Sequence, residues 1–210
     1  VHPKSNTSEA TDAVNRKSKI EMLPCWLTDT VTGDLDRALH YTMFWGMEAL
    51  ELRRLGAEGQ RVPFVNEEKL RRRLREHEIG VAAIVPGVFE GEAADRVAWM
   101  NDVAALDEAL QFCRRIGCRR IVVSALGAEG LSVEDHRRLA ADALRRAGAK
   151  ATSYGVRLAV LNETDSGAAT GTGLAELLAE TNHSSVRAAW SPATALEAGE
   201  APEVGLNALI

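Results

Sequence analysis

The sequence lacks long hydrophobic runs, paired cysteines and a strong excess of either charge. No apolar run approaches the roughly 20 residues that a membrane-spanning helix needs, and Val81–Val85 is typical of the longest. The three cysteines, Cys25, Cys113 and Cys118, fit neither a disulfide framework nor a paired zinc ribbon, so we expect a reducing compartment, the cytoplasm. The net charge of −5 argues against a general binder of nucleic acid or of anionic membranes.

What the sequence does contain is the composition of an ordinary soluble globular protein, with 46% hydrophobic and 26% charged residues among 210. A chain of this length is expected to form one domain with a sizeable buried core. Residues 1–18 are polar and lack the apolar segment of a signal peptide. We therefore predict a disordered N-terminal arm over residues 1–18 and one folded domain over residues 19–210.

Short apolar runs rich in β-branched residues recur at intervals of roughly 30–40 residues, the length of one strand–helix unit that returns to a parallel neighbour. Helical periodicity fills the intervals, so the pattern predicts six successive β-α units without separate hairpins. Strands that are apolar on both faces fit an open doubly wound sheet or a (β/α)8 barrel, and periodicity alone does not separate the two. The runs are Ile20–Leu23, Ala49–Leu52, Val81–Val85, Ile121–Val123, Val156–Leu161 and Val186–Trp190.

Two glutamates stand at the ends of predicted strands: Glu51 closes the second run and Glu163 follows the fifth. The carboxyl ends of the strands form the site face in both candidate folds. Carboxylates there exchange protons with a substrate carbon or hydroxyl, or hold a divalent cation. Two plainer interpretations stay open, namely that Glu51 pairs with Arg53 or another arginine and that Glu163 lies in an exposed loop.

Two tryptophans, Trp26 and Trp190, each follow a predicted strand, where an indole can floor a pocket and stack on the apolar face of a sugar. Ordinary core packing is the alternative for both. The glycine-rich stretch 166–174 resembles a phosphate cradle but lacks the lysine of a P-loop, so a flexible loop with Thr172 as a helix cap fits better. The five histidines do not cluster, and a closed zinc site is not expected.

From Tyr154 onward the sequence resembles the xylose isomerase-like barrels, a family of sugar and sugar-phosphate isomerases and epimerases. The stretch YGVRLAVLNETD is similar to the family pattern YGVxLALENH, and SSVRAAWSPATALEAGEAPEVGL is similar to NVGLCWDPGNALxAGEDPxEAL. Upstream, GMEALELRRLG looks like the second strand, and ALDEALQFCRRIGCRRIVVSALGA looks like the third helix and fourth strand. The resemblance implies an α/β fold of the (β/α)8 TIM barrel type, with about six β-α units present in this chain.

The resemblance also implies an activity, the transfer of a proton between adjacent carbons of a carbohydrate. Enzymes of this kind typically use a divalent ion such as Mn²⁺, Mg²⁺ or Zn²⁺. The ungapped position of the strand-five ligand holds Leu161, and a slip of two residues would let Glu163 serve. Asn162 and Trp190 match the family pattern, whereas Ser191 stands where a ligating aspartate is usual.

The leading hypothesis is therefore a sugar or sugar-phosphate isomerase or epimerase, with or without a metal. Its predicted residues are Glu51 and Glu163 for catalysis, Glu163 as a metal ligand, and Trp26, Arg53, Asn162 and Trp190 for substrate binding.

The alternative hypothesis is a non-catalytic carbohydrate-binding or assembly protein on a degenerate barrel. It rests on Leu161, Ser191 and Thr194, each of which replaces a group that the chemistry uses. In either case we expect a small-molecule carbohydrate as ligand, with neither nucleic acid nor membrane as partner. Six units leave two sheet edges unpaired, so we also expect a homo-oligomer.

Overall fold

Strands and helices alternate along the part of the chain that the computed structural model describes, residues 23–56 and 58–210. The strands there are β1 (Cys25–Leu27), β2 (Ala49–Leu52), β3 (Arg54–Leu55), β4 (Gln60–Arg61), β5 (Gly80–Ile84), β6 (Arg120–Val123), β7 (Arg157–Leu161) and β8 (Val186–Ala189). The helices are α1 (Leu35–Phe44), α2 (Glu67–Glu76), α3 (Arg96–Ile116), α4 (Val133–Ser153), α5 (Gly171–Thr181), α6 (Pro192–Glu197) and α7 (Pro202–Leu209). The predicted alternation of strands with helices is confirmed.

Six of these strands form one parallel sheet in the order β1-β2-β5-β6-β7-β8. Each new strand lies beside the one before it, and the order never reverses. An open doubly wound sheet has a point at which its strand order reverses, whereas a barrel adds its strands in one direction. The topology therefore favours the barrel of the two folds that periodicity left open.

Helices α1 to α6 each begin after a residue whose side chain caps the helix, whereas α7 follows Ala201, which has no capping side chain. Asp34 accepts a hydrogen bond from the N–H of the third residue after it at the start of α1, and Ser132 does the same at α4. Helix α5 differs from the prediction because Thr170, and not Thr172, is its cap. None of the described helices combines the length and the apolarity that crossing a membrane requires.

Two local predictions were wrong. The first strand that the structure describes is Cys25–Leu27; of the predicted strand Ile20–Leu23, residues 20–22 lie outside the described residues and Leu23 belongs to no strand. A small antiparallel hairpin, β3 with β4, follows β2 although no hairpin was expected. Strands of two residues are too short to produce a periodic signal, which explains why the sequence did not reveal them. The predicted arm, residues 1–18, also lies outside the described residues and stays a prediction.

The two faces of the sheet carry different side chains, because successive residues of a strand point to opposite sides. One face packs large apolar residues such as Leu50, Ile84 and Ile121 against the helices in the main core. The other face carries smaller residues, among them Ala83, Val122 and Ala159, in a separate apolar cluster. Residues from all six parallel strands line a single cavity on this second face, so the sheet curves around it.

Helices α5 and α7 cross through a pair of glycines. A Cβ atom added to Gly171 would stand 2.4 Å from the Cα of Gly205, well inside the closest approach of two carbon atoms. A Cβ atom on Gly205 would in turn stand 3.2 Å from the Trp190 ring. Because neither glycine has a side chain, α7 can pack this closely against α5 and beside Trp190, the residue that follows β8.

Candidate functional site

Parallel strands bring their carboxyl ends to one edge of the sheet, here called the carboxyl edge. The residues that follow β1, β2, β6, β7 and β8 supply most of its polar groups: Asp29, Arg53, Ser124, Glu163 and Trp190. Ligand sites of both parallel-sheet folds lie at this edge because the strands end there and loops with free side chains begin.

The concave face below the carboxyl edge encloses a cavity of about 510 Å³. Three of the predicted site residues line it, namely Glu51, Arg53 and Trp190. Most of the remaining lining is small and apolar, with Ala83 and Ala159 on neighbouring strands. The volume lies within the range of small-molecule sites, and a mainly apolar wall with a few polar groups is typical of them.

Glu51 is a half-buried carboxyl group on the cavity side of β2, level with Leu27 of β1 and Ala83 of β5. Burial raises the pKa of Glu51, and the charges of Arg120 and Arg53 oppose this rise without cancelling it. Glu51 makes no ion pair with Arg53 or with any other residue that the structure describes. The plainer interpretation of Glu51 is therefore not the arrangement found.

Arg53 pairs with Asp29 instead. Its Nε atom lies 3.0 Å and 3.2 Å from the two carboxylate oxygens of Asp29, a residue that follows β1. The Asp29 side chain is only 12% exposed, so this ion pair is shielded from bulk water on one side. Sequence reasoning missed Asp29, because it took Trp26 as the residue that follows the first strand, whereas β1 includes Trp26 and extends to Leu27.

Glu163 stands two residues beyond the end of β7, in a loop at the carboxyl edge beside Ser124 and Ala125, and it is not among the residues that line the cavity. Burial raises the pKa of Glu163, and the nearby charge of Glu90 adds to the rise. Hydrogen bonding to the Ser124 hydroxyl and to the backbone of Ala125 opposes it. The carboxyl group is half-buried and is therefore not the free loop side chain of the plainer interpretation.

Asn162 is buried, and its side-chain amide is bonded to the main chain. It donates to the carbonyls of Ala169 and Ser191 at 2.9 Å and 3.0 Å and accepts from the Ser191 N–H at 2.6 Å. These bonds tie the end of β7 to the residues that follow β8. Through these bonds Asn162 holds together the two loops beside Glu163.

The two predicted tryptophans point to opposite sides of the sheet. Trp190 lines the cavity, and its indole nitrogen has no hydrogen-bond partner among the described residues. Trp26 turns to the helix layer, where it donates to the Thr42 hydroxyl at 2.9 Å and meets the Trp45 ring edge to face at 5.1 Å. Trp26 lies in the middle of β1, between Cys25 and Leu27, which both line the cavity. Because successive residues of a strand point to opposite faces, the Trp26 side chain points to the helix layer and not into the cavity.

His136 is a buried residue near the site that no sequence pattern singles out. Its Nε2 atom lies 3.2 Å and 3.1 Å from the carbonyl oxygens of Ala125 and Leu126. Its Nδ1 atom lies against Gly167, where an added Cβ would be 2.3 Å away. His136 therefore contacts the loop after β6 and the loop after β7, and the second of these loops contains Glu163.

The residues present do not fit a divalent metal ion. Within residues 23–56 and 58–210, no three His, Cys, Asp or Glu side chains come together in a group that could hold one. Leu161 is apolar, and the Ser191 hydroxyl is used at the start of α6, where it accepts from the N–H of Thr194. We therefore assign no metal-dependent step to these residues.

The glycine-rich loop is not a phosphate cradle. The carboxylate of Glu200 accepts hydrogen bonds from the N–H groups of Gly171 and Thr172 and from the Thr172 hydroxyl. These N–H groups at the start of α5 are the ones that an anion would need. An internal carboxylate thus fills the position, in agreement with the preferred interpretation of this stretch as a loop.

The family model described as the xylose isomerase-like TIM barrel matches residues 42–209. No curated protein gives a significant match. Among solved structures, the chain is similar to the probable 3-DHS dehydratase AsbF involved in petrobactin synthesis from Bacillus anthracis. The TM-score is 0.73 at 14% identity, covering 90% of this chain and 69% of that one.

Two further solved structures are similar. One is an L-ribulose 3-epimerase, with a TM-score of 0.65, 18% identity and coverage of 81% of this chain and 60% of that chain. The other is the IOLI protein with a bound zinc atom, with a TM-score of 0.72, 17% identity and coverage of 85% and 66%. The chain thus spans 60% to 69% of the length of these three structures, and at such identities they show a shared fold.

Proposed function

Because the chain belongs to the xylose isomerase-like TIM barrel family, we propose that it acts on a carbohydrate at the carboxyl edge, as an isomerase or epimerase. The observation that carries this proposal is the presence of two half-buried carboxyl groups with raised pKa values, Glu51 in the cavity wall and Glu163 in the loop that follows β7 at the carboxyl edge. Perturbed carboxyl groups beside a cavity of small-molecule size are typical of proton-transfer sites.

In the proposed reaction, Glu163 removes the proton from the carbon beside a sugar carbonyl. The electron pair of that C–H bond forms a carbon–carbon double bond, and the carbonyl electrons move to the oxygen to give an enediolate. A raised pKa makes Glu163 a stronger base than an exposed carboxylate. Hydrogen bonding from Ser124 and Ala125 holds its charged form in place.

Glu51 supplies the returning proton in this proposal. Its raised pKa favours the protonated form, as a general acid requires. Protonation of the neighbouring carbon gives the isomer when the hydroxyl proton of the first carbon passes to the former carbonyl oxygen, and protonation of the same carbon on its other face gives the epimer. Glu163 then loses its proton to water and Glu51 regains one, which restores the starting state.

The remaining predicted residues bind and orient substrate in this proposal. Trp190 offers the apolar face of its indole to the C–H groups of a sugar ring. Arg53, held by Asp29, donates to hydroxyl or carbonyl oxygens at the carboxyl edge. Asn162 keeps the loops in place through its bonds to the main chain. Trp26 supports β1 from the helix side.

The experiment is solvent hydrogen exchange followed by NMR, with ketoses and aldoses incubated in D2O with the protein. We expect deuterium at the carbon beside the carbonyl of an accepted sugar. Glu163→Gln should abolish this incorporation and Glu51→Gln should slow product formation. Glu197→Gln, which changes an exposed glutamate on α6, should leave both unchanged.

A second candidate is a carbohydrate-binding protein without catalysis. The hydroxyl groups of Ser191 and Thr194 bond to each other at the start of α6, so both serve the helix and not a reaction. This candidate predicts that sugars bind to the cavity but that the protein catalyses no exchange with D2O. The same NMR samples therefore separate the two functions.

A further inference from the structure

The cavity on the concave face contains an arginine that has no carboxylate partner. Three charged residues line this cavity, namely Glu51, Arg53 and Arg120. Arg53 is paired with Asp29 at 3.0 Å. Arg120 makes no ion pair with any residue that the structure describes. Of the two positive charges in the cavity wall, Arg120 is therefore the one that stays available to a ligand.

Arg120 and Glu51 face the cavity from two strands that are separated by β5. Glu51 is level with Ala83 of β5. Ile84, the next residue of β5, is level with Ile121, the residue that follows Arg120. Ala83 therefore lies between Glu51 and Arg120, and its methyl group leaves the space between the two charged side chains open. Neighbouring strands lie about 4.8 Å apart, so the two backbones are separated by roughly 10 Å.

The charge of Arg120 acts across the cavity. Burial raises the pKa of Glu51, and Arg120 opposes this rise more strongly than Arg53 does. Burial and the charge of Glu51 raise the pKa of the Cys25 thiol on β1, and Arg120 opposes that rise as well. Glu51 and Cys25 both line the cavity, so the Arg120 guanidinium group directs its charge into it.

A second arginine without an ion pair, Arg157, lies beside Arg120. The two are level with each other on the adjacent strands β6 and β7. Val122 and Ala159, which stand two residues further along these strands, line the cavity. Side chains two residues apart in a strand point to the same face, so Arg157 lies on the concave face although it does not line the cavity. Among the described residues that line the cavity, Glu51 is the only carboxyl group to set against this positive charge.

We propose that Arg120 binds the anionic group, a carboxylate or a phosphate, of an acidic carbohydrate in this cavity. The inference rests on the proposed function and names its class of substrate. A guanidinium group donates two parallel hydrogen bonds to either anion, which is stronger than its bonding to an uncharged hydroxyl. With Glu51 protonated, as the proposed reaction requires, the anion balances the charge of Arg120. The rest of the sugar then extends from Arg120, at the amino end of β6, toward the carboxyl edge.

The experiment compares the binding of acidic sugars and of their uncharged counterparts by calorimetry. D-glucuronate is paired with D-glucose, and D-fructose 6-phosphate is paired with D-fructose, so the two pairs differ in a carboxylate and in a phosphate respectively. At low ionic strength we expect the acidic member of at least one pair to bind at least about tenfold more tightly. This difference should shrink as salt is added. The pair with the larger difference identifies the anion.

Replacement of Arg120 tests which residue produces the preference. Arg120→Ala should lower the affinity for the acidic sugar about tenfold and leave the affinity for the uncharged sugar unchanged. Arg120→Lys keeps the charge but not the planar fork, so it should retain part of the preference. Arg119→Ala is the matched control, because the preceding arginine is also exposed but does not line the cavity. It removes the same charge and should leave the preference unchanged.

The outcomes separate this inference from the proposed function. Equal binding within both pairs, or a preference that survives Arg120→Ala, would overturn the inference, whereas exchange of an uncharged ketose with D2O would still support the function. An Arg120-dependent preference without any exchange would support the inference and contradict the isomerase or epimerase function. If no sugar of either pair binds, both fail.

Discussion

Replacing Gly171 by alanine tests how α7 packs beside the site, because two arguments predict opposite changes in the stability of the protein. Alanine in a helix is favoured over glycine by up to about 1 kcal/mol, so helix propensity alone predicts a more stable protein. The added Cβ would stand 2.4 Å, 2.6 Å and 2.7 Å from the Cα, O and C atoms of Gly205. These are backbone atoms, which cannot move aside as the end of a flexible side chain can.

The magnitude follows from the contacts that must change. Relieving an overlap of this size requires α5 and α7 to separate by roughly 1 Å, and overpacking of this kind costs about 1–3 kcal/mol. The same movement weakens the hydrogen bond from the Gly171 N–H to Glu200, at about 1 kcal/mol or more for a bond to a charged group. We therefore expect Gly171→Ala to lower the free energy of unfolding by about 1–3 kcal/mol after the gain in propensity.

Urea denaturation followed by tryptophan fluorescence measures this change, with the denaturation midpoint compared at a constant slope. Gly173→Ala is the matched control in the same helical turn. Its Cβ would meet the Thr170 hydroxyl at 3.1 Å and otherwise make ordinary contacts. If the two variants have equal midpoints, the close crossing of α5 and α7 does not limit stability and the reasoning is refuted.

Three further predictions concern the buried polar groups and the sheet edges. His136→Gln should lower the free energy of unfolding by about 1–3 kcal/mol and shift the carboxyl NMR titration of Glu163, because the loops on both sides of that residue lose their shared contact. Burial opposes a low pKa at Glu200, but hydrogen bonds from Thr172 and Gly171 together lower that pKa, so the contribution of Glu200 to stability is present at neutral pH. That contribution should be lost as pH falls below about 4, so wild type and Glu200→Gln should converge in acid denaturation curves. Because β1 and β8 form the edges of the described sheet and leave backbone groups unpaired, we expect the protein to self-associate, and light scattering over a wide concentration range should detect this.

The order of elements could be predicted from the sequence because each strand and helix carries its own periodic signal. The end of β2 was predicted correctly, and Glu51 therefore lies on the face that its position in the strand pattern indicates. The prediction did not include β1, Cys25–Leu27, and that single error affected two residues. It put Trp26 after the strand and left Asp29 without a role, although the structure makes Asp29 the partner of Arg53.

Other features of the site depend on contacts between distant segments, which local patterns do not encode. Both Thr170 and Thr172 are suitable caps for the start of α5. Thr170 caps the helix, whereas the Thr172 hydroxyl donates a hydrogen bond to the carboxylate of Glu200, which lies in a later loop. Asn162 matches a sequence motif, but only the folded chain shows that its amide is bonded to the main chain. His136 carries no signal because a lone histidine on a helix has no distinctive spacing.

The measurement that tests the central claim most directly is the pH dependence of deuterium incorporation from D2O into a free ketose. In the proposed reaction Glu163 acts in its charged form, and burial raises its pKa, so the rate should rise with pH to a plateau, with a midpoint above the value of about 4.3 for an ordinary glutamate. Glu163→Gln should remove the incorporation at every pH. Incorporation that is independent of pH, or that persists in Glu163→Gln, would contradict proton transfer by this carboxyl group.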